Sequence, residues 1–261
     1  MTDKEPQSEA PITYDLSLLE QSQQEWARSS ALRMLYGDLY GEISNWCQPG
    51  PTLEIGSGIG VAKEFLADVV TSDVVQTPYV DCAMSAYELR SAESGEWTNI
   101  FSVDVFHHLT TPLKFLESAA AVLQPGGRII LVEPAATWMG RCFYKLFHCE
   151  PMELKAIRPP FEFEANWENG EFANMAMGEG LFLQHRALVE SQLAESGLVI
   201  EQVEYRDLLA YPLTGGYSSP QMLPERLIRA ILRMEKWLPQ AWFKYLGLRM
   251  VIVLRKDADP N

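Results

Sequence analysis

The sequence predicts an α/β fold built on a parallel sheet, and three observations predict it. From Thr52 onward, short apolar runs alternate with helical segments. A glycine-rich loop, Gly56-Ser-Gly-Ile-Gly60, follows the first run. A helix stop, Gln124-Pro-Gly-Gly127, stands before the last run of that series. Alternation of this kind arises when each strand returns through a crossover helix and so pairs in parallel with a neighbour. At 261 residues, 47% of them hydrophobic and 21% charged, the chain can bury one substantial core.

The elements follow in order. Residues 1–12 are polar, carry no apolar stretch of signal-peptide type and are expected to be a disordered lead-in. Residues 13–48 are expected to form a helical cap, because Leu16, Leu19, Trp26, Leu32, Leu35, Leu39 and Ile43 recur at helical spacing. Gly37 and Gly41 are the expected points at which that helix divides, and Pro49-Gly50-Pro51 ends it. Strands are expected at 52–55, 69–73, about 80–84, 99–105 and 128–132, with helices at 60–68 and 112–123. Residues 135–185 lose the rhythm: nine rings, from Trp138 to Phe182 and including Trp167, are scattered among Pro, Gly, Asn and Met. This stretch is read as an insertion covering one end of the sheet. The pattern resumes with a helix at 185–196, a strand at 198–206, an amphipathic helix at 224–238 and a last strand at 249–255.

Charge and cysteine content narrow the function classes. The net charge is −14, which repels a phosphate backbone, so no nucleic-acid partner is expected. The charge is uneven: residues 221–261 hold eight Lys/Arg against four Asp/Glu. The basic stretch 224–256 reads first as a helix packed on the sheet with a solvated face. Peripheral contact with an anionic membrane or a lipid-like substrate is the sharper alternative. Cys47, Cys82, Cys142 and Cys149 include no C-x-x-C pair and read as reduced thiols, hence a cytoplasmic location.

The glycine loop carries the most chemistry. Three alternate glycines after a strand permit a sharp turn and close approach of a ligand to the backbone. A dinucleotide fingerprint requires glycine at position 61, where Val61 stands, and Lys63 is misplaced for a phosphate loop. The pattern present, Glu54-x-Gly56-x-Gly58-x-Gly60, resembles the first motif of class I S-adenosylmethionine-dependent methyltransferases. Asp73, Asp104-Val-Phe-His-His-Leu109 and Val122-Leu-Gln-Pro-Gly-Gly-Arg-Ile-Ile130 resemble later motifs of that family, in the same order. The resemblance covers about 50–133 and, loosely, the last two strands. It implies a Rossmann-like, seven-stranded, mostly parallel sheet with an antiparallel last strand, and S-adenosyl-L-methionine as cofactor. It further implies that Glu54, Gly56, Ser57, Gly58 and Gly60 pass the methionine side of the cofactor and that Asp73 takes the ribose hydroxyls; Phe106 is expected beside the cofactor or in the core. Where the family carries an Asp-Ala pair at the adenine, this chain has Ser85-Ala86. A serine hydroxyl accepts from an adenine N–H without charge, and Asp81 or Glu88 are the acids nearby in sequence.

Methyl transfer from a sulfonium is an in-line displacement that depends on alignment, and an oxygen nucleophile wants a base. The implied activity is transfer to an oxygen or carbon of a small or lipid-like acceptor. The alternative is a non-catalytic methyltransferase-like subunit of a protein complex. His108 and Glu133 are the expected catalytic pair, with His107, Tyr144, His148 and His185 as further candidates. The structural alternative for His108 is a bond to a backbone carbonyl, and for Glu133 a cap on the following helix. No metal is expected, because neighbours on an extended segment point to opposite sides and cannot both grip one ion.

Overall fold

The computed structural model describes residues 16–89, 95–165, 172–217 and 219–257. The lead-in 1–12 and Trp167 lie outside them. Helices α1 (Leu16–Arg28) and α2 (Ser30–Trp46) form the N-terminal pair. They divide at Ser29, not at Gly37 or Gly41. Ser29 is extended and its Oγ accepts from the Leu32 N–H, an N-cap that starts a new helix. Gly37 stays within α2, where an added Cβ would stand 3.1 Å from the Phe65 ring.

Seven strands follow: β1 (Thr52–Ile55), β2 (Val69–Asp73), β3 (Cys82–Ala83), β4 (Trp97–Val103), β5 (Leu123–Pro134), β6 (Leu198–Arg206) and β7 (Arg249–Lys256). Their order in the sheet is β3-β2-β1-β4-β5-β7-β6. β7 is antiparallel to both β5 and β6, and the remaining pairs are parallel. The Rossmann-like seven-stranded expectation therefore holds. The helix expected at 60–68 does not form: a single 3-10 turn spans Val61–Glu64. Only eight residues separate Gly60 from Val69. A 3-10 turn rises about 2.0 Å per residue against about 1.5 Å for an α-helix, so the shorter connection still returns to the start of β2.

The other helices are α3 (Pro112–Val122), α4 (Trp138–Phe147), α5 (Met177–Glu179), α6 (Arg186–Ala194), α7 (Ala210–Leu213), α8 (Glu225–Glu235) and α9 (Gln240–Leu246). Both sheet faces are covered, as the alternation within strands demands. Ile129, Leu131, Ile252 and Leu254 face a core with Phe115, Leu116, Phe182 and Val189. Ile130, Val132, Val251 and Val253 face the opposite core with Leu32, Leu35, Leu39, Ile43 and Ile228. The 135–185 stretch contributes to the first core through Ile157, Phe161, Met177, Leu181 and Phe182. It does more than roof the sheet: Gly178 lies so close that an added Cβ would meet Met250 and Ile252 of β7 at 3.0 and 3.3 Å.

Candidate active site

Parallel strands end together, and the loops leaving that carboxyl edge bring the singled-out residues into one region. At its β1–β2 side the glycine loop turns through left-handed backbone, with φ of 69°, 53° and 67° at Gly56, Gly58 and Gly60. A Cβ at Gly60 would stand 2.2 Å from the Tyr79 carbonyl oxygen, and one at Gly56 would stand 2.5 Å from a methyl of Val105. Ser57 locks the loop to β2. Its N–H donates to the Ser72 carbonyl and its Oγ accepts from the Ser72 N–H, at 2.8 and 3.1 Å.

Two carboxylates border this loop. Asp73 ends β2 and accepts from the Gly58 N–H at 2.8 Å and from the Val74 N–H at 2.7 Å. Glu54 is buried in β1. Its Oε1 accepts from the Tyr40 hydroxyl at 3.0 Å, while Oε2 is buried without a partner. Burial pushes the Glu54 carboxyl up to about 7, against hydrogen bonds that favour its charged form. Leu19 of α1 lies 4.0 Å from where a Cβ on Gly58 would stand, so the first helix passes over the loop.

The adenine candidates separate. The Met84 N–H donates to the Asp73 carbonyl, which sets Ser85-Ala86 immediately after the β2–β3 pairing; Ser85 Oγ accepts from the Tyr87 N–H. Asp81 is engaged elsewhere: one oxygen takes Lys63 and the other accepts from the N–H and hydroxyl of Thr71. Glu88 is exposed. Of the two places expected for Phe106, the structure shows the core and corrects the cofactor side. It is fully buried against Phe115 and Phe182, at ring separations of 6.2 and 5.7 Å, and has no surface to offer a cofactor.

At the β4–β5 side the histidines and Glu133 form one cluster. Asp104, with φ of 55°, turns the chain out of β4, and a 3-10 turn follows at Phe106–His108. Glu133 is completely buried. Its Oε1 accepts from the N–H groups of Val105 and Phe106, and its Oε2 from the N–H and the Nδ1 of His107, the last at 2.6 Å. All its capacity is spent on holding this turn, so the expectation of Glu133 as a catalytic base is corrected: it positions His107. It does not cap the following helix either; Thr137 does, accepting from the Gly140 N–H.

His107 is buried and sits between two carboxylates, with Nε2 3.4 Å from Glu150 Oε2. Burial disfavours its charge, but Glu133 and then Glu150 outweigh burial and raise it to about 10. His107 is therefore an imidazolium at neutral pH and no proton acceptor. His108 differs. Partial desolvation of its half-exposed ring first, then the charge on His107, lower its pKa and favour the neutral imidazole. Its Nδ1 faces the Phe172 carbonyl at 3.1 Å, so Nδ1 carries the proton and the Nε2 lone pair is left, 3.8 Å from Glu150 Oε1. The carbonyl bond was the structural alternative for His108, and it orients the ring without occupying Nε2.

Other candidates fall away on geometry. The Tyr144 hydroxyl donates to the Leu248 carbonyl at 2.7 Å, His185 Nε2 bonds the Ile157 carbonyl, and His148 packs on the Tyr144 ring. His107 and His108 do not point to opposite sides as expected of an extended segment; both Nε2 atoms face Glu150. On a 3-10 turn the two imidazoles lie side by side, with centroids 4.2 Å apart. Sequence reasoning missed Glu150, which lies past the end of α4 with no local signal around it. It also missed Arg249, buried at the start of β7 over the ring of Tyr211 at 4.2 Å and beside Asp104 and Asp207.

The two sides of the cleft are in contact, since Val105 touches Gly56. Comparison with known proteins adds the following. A family model described as "Methyltransferase domain" matches residues 31–203. No curated protein sequence matches the chain. A crystal structure of a SAM-dependent methyltransferase from Archaeoglobus fulgidus is similar in fold, with 13% identity and a TM-score of 0.52, covering 93% of this chain and 100% of that one. A second is the Burkholderia thailandensis 1,6-didemethyltoxoflavin-N1-methyltransferase, with bound 1,6-didemethyltoxoflavin and S-adenosylhomocysteine. It is 14% identical with a TM-score of 0.47, covering 93% and 85%.

Proposed function

Since the chain belongs to the methyltransferase-domain family, we propose that it moves the methyl group of S-adenosylmethionine to an oxygen or carbon of a small, lipid-like acceptor at a membrane surface. The cofactor supplies an electrophilic methyl on a sulfonium, displaced in line. This chain's residues bind and align. Gly56 and Gly60 set the turn by packing against Val105 and Tyr79, and Gly58 leaves the loop open toward the methionine portion. The unpartnered Oε2 of Glu54 suits its ammonium, and Asp73 suits the ribose hydroxyls. Ser85 and Ala86 border the adenine. A buried carboxylate oxygen with no donor inside the protein is the feature that best fits a cationic ligand group.

His108 takes the acceptor's proton. Its Nε2 carries the lone pair, its ring is fixed through Nδ1, and it is neutral at pH 7. Replacing it by Ala removes a base from an exposed position, so turnover falls by about 10²-fold or more with little change in stability. A replacement that leaves turnover intact returns His108 to a structural role.

The lipid-like acceptor rests on one observation. Helices α4 and α9 pack together and, with the α8–α9 junction, expose Trp138, Leu146, Phe147, Trp237, Trp242 and Tyr245. Trp237 is 88% exposed. The same helices carry Arg141 and Lys145 on α4, Arg226, Arg229 and Arg233 on α8, Lys236 just past its end and Lys244 on α9, of which Arg229 pairs with Glu225 and Lys236 with Asp38, in a chain whose net charge is −14. Aromatic rings beside cations are what an anionic membrane interface accommodates. α4 begins four residues after β5 and leads, past Phe147, into Glu150 beside the histidines, so this face adjoins the acceptor side. Among the described residues no helix is long and apolar enough to cross a membrane; the contact proposed is peripheral. The four free cysteines support a reducing compartment, the cytoplasm.

Co-sedimentation with vesicles tests the acceptor class. The chain should bind vesicles containing phosphatidylglycerol, bind phosphatidylcholine vesicles weakly, and lose binding in a Trp237→Ala/Trp242→Ala variant. Equal recovery in the supernatant with both lipids would overturn the membrane reading and leave methyl transfer standing.

A further inference from the structure

We propose that His107, His108 and Glu150 form a divalent-cation site at the acceptor end of the cleft. The inference rests on the methyl-transfer reading for its role, but not for its existence. Three donor atoms, one from each side chain, lie within 4.8 Å of one another. His107 Nε2 is 3.4 Å and His108 Nε2 is 3.8 Å from the two Glu150 oxygens. Donors bound at about 2.0–2.1 Å around a tetrahedral ion stand roughly 3.3–3.4 Å apart, so a small inward movement completes the site.

The surroundings of the donors distinguish this cluster from an accidental one. Each imidazole has its Nδ1 anchored, His107 on the buried Glu133 carboxylate and His108 on the Phe172 carbonyl, so both Nε2 atoms point the same way. Ligating histidines are held in this manner, since the outer partner fixes both tautomer and ring plane. The ion replaces the proton shared between His107 Nε2 and Glu150. Two imidazoles and one carboxylate suit Zn²⁺, Fe²⁺, Mn²⁺ or Co²⁺ better than Ca²⁺ or Mg²⁺, which prefer oxygen. His108 and Glu150 are each more than one-third exposed, leaving the outward positions open to water or an acceptor oxygen. An ion there acts as a Lewis acid, lowering the pKa of a bound hydroxyl. It would then take over from His108 Nε2, with the hydroxyl proton released to solvent at the open outward positions, and oxygen rather than carbon would be the atom methylated.

The test uses the full chain, stripped with chelator and then dialysed against Zn²⁺ or Co²⁺. Metal content, the visible spectrum of the Co²⁺ form and the unfolding midpoint are read. One equivalent should be retained and the midpoint raised. His108→Ala and Glu150→Gln should each weaken Zn²⁺ binding at least tenfold, while their metal-free unfolding midpoints stay near that of the parent. His148→Ala and Cys149→Ser should change nothing. Failure to retain an ion, or equal retention by the His108 and Glu150 variants, would overturn the site. A chain that binds S-adenosylhomocysteine but no ion overturns this inference alone. A chain that binds the ion but no S-adenosylhomocysteine overturns the methyl-transfer reading alone.

Discussion

The two sides of the cleft are assembled by different means. Around the glycine loop the contacts join residues fifteen apart in sequence, Ser57 with Ser72 and Gly58 with Asp73, each pairing a backbone N–H with a side-chain oxygen. On the β4–β5 side, His107 meets Glu133 across twenty-six residues, side chain to side chain, and His108 meets the Phe172 carbonyl across sixty-four. The first side needs residues that stay out of the way. The second needs charged groups placed against one another in a buried setting, where loss of one strands the rest.

That contrast can be broken in order of effect. Glu133→Ala should be the most damaging change. It leaves the His107 imidazolium buried beside three unpaired N–H groups, and removing one partner of a buried pair costs about 3–5 kcal/mol. A denaturant midpoint close to that of the parent would show that the cluster is not a mutually dependent unit. Gly60→Ala comes next. Positive φ and a carbonyl 2.2 Å from the new Cβ cost about 1–3 kcal/mol, and cofactor-analogue binding should fall more sharply than stability.

The smallest effect is a pH dependence. Glu54 has its folded pKa raised to about 7 by burial, so in the ligand-free chain its contribution to stability is present at low pH and lost as pH rises through about 7. Ionised Glu54 is the form that attracts an ammonium. S-adenosylhomocysteine affinity should therefore rise about tenfold from pH 6 to 8, and Glu54→Gln should flatten the profile. An affinity that falls over that range would place the amine elsewhere.

Legibility in the sequence divides along the same line. The turn through Gly56, Gly58 and Gly60 was readable because three alternate glycines after a strand demand left-handed backbone, whereas the roles given to Glu54 and Asp73 came from the family resemblance. The parallel β1, β2, β4 and β5 were readable from the strand–helix alternation, and the antiparallel β7 followed only from the family resemblance. Glu133 was found, yet its role was not, because only the folded chain reveals three N–H groups converging on it. Glu150 carried no signal, since its meeting with the histidines depends on where α4 ends. The His107-His108 pair was misjudged because the turn at Asp104 converts an expected extended segment into a 3-10 turn. Ser29, not the glycines, divides the first helices, because a capping hydroxyl starts a helix more decisively than an interior glycine ends one.

Calorimetric titration of the chain with S-adenosylhomocysteine tests the central claim most directly. The account predicts one equivalent bound at submillimolar ligand, with binding lost in Asp73→Ala and retained in His108→Ala. No heat of binding at millimolar ligand would contradict it.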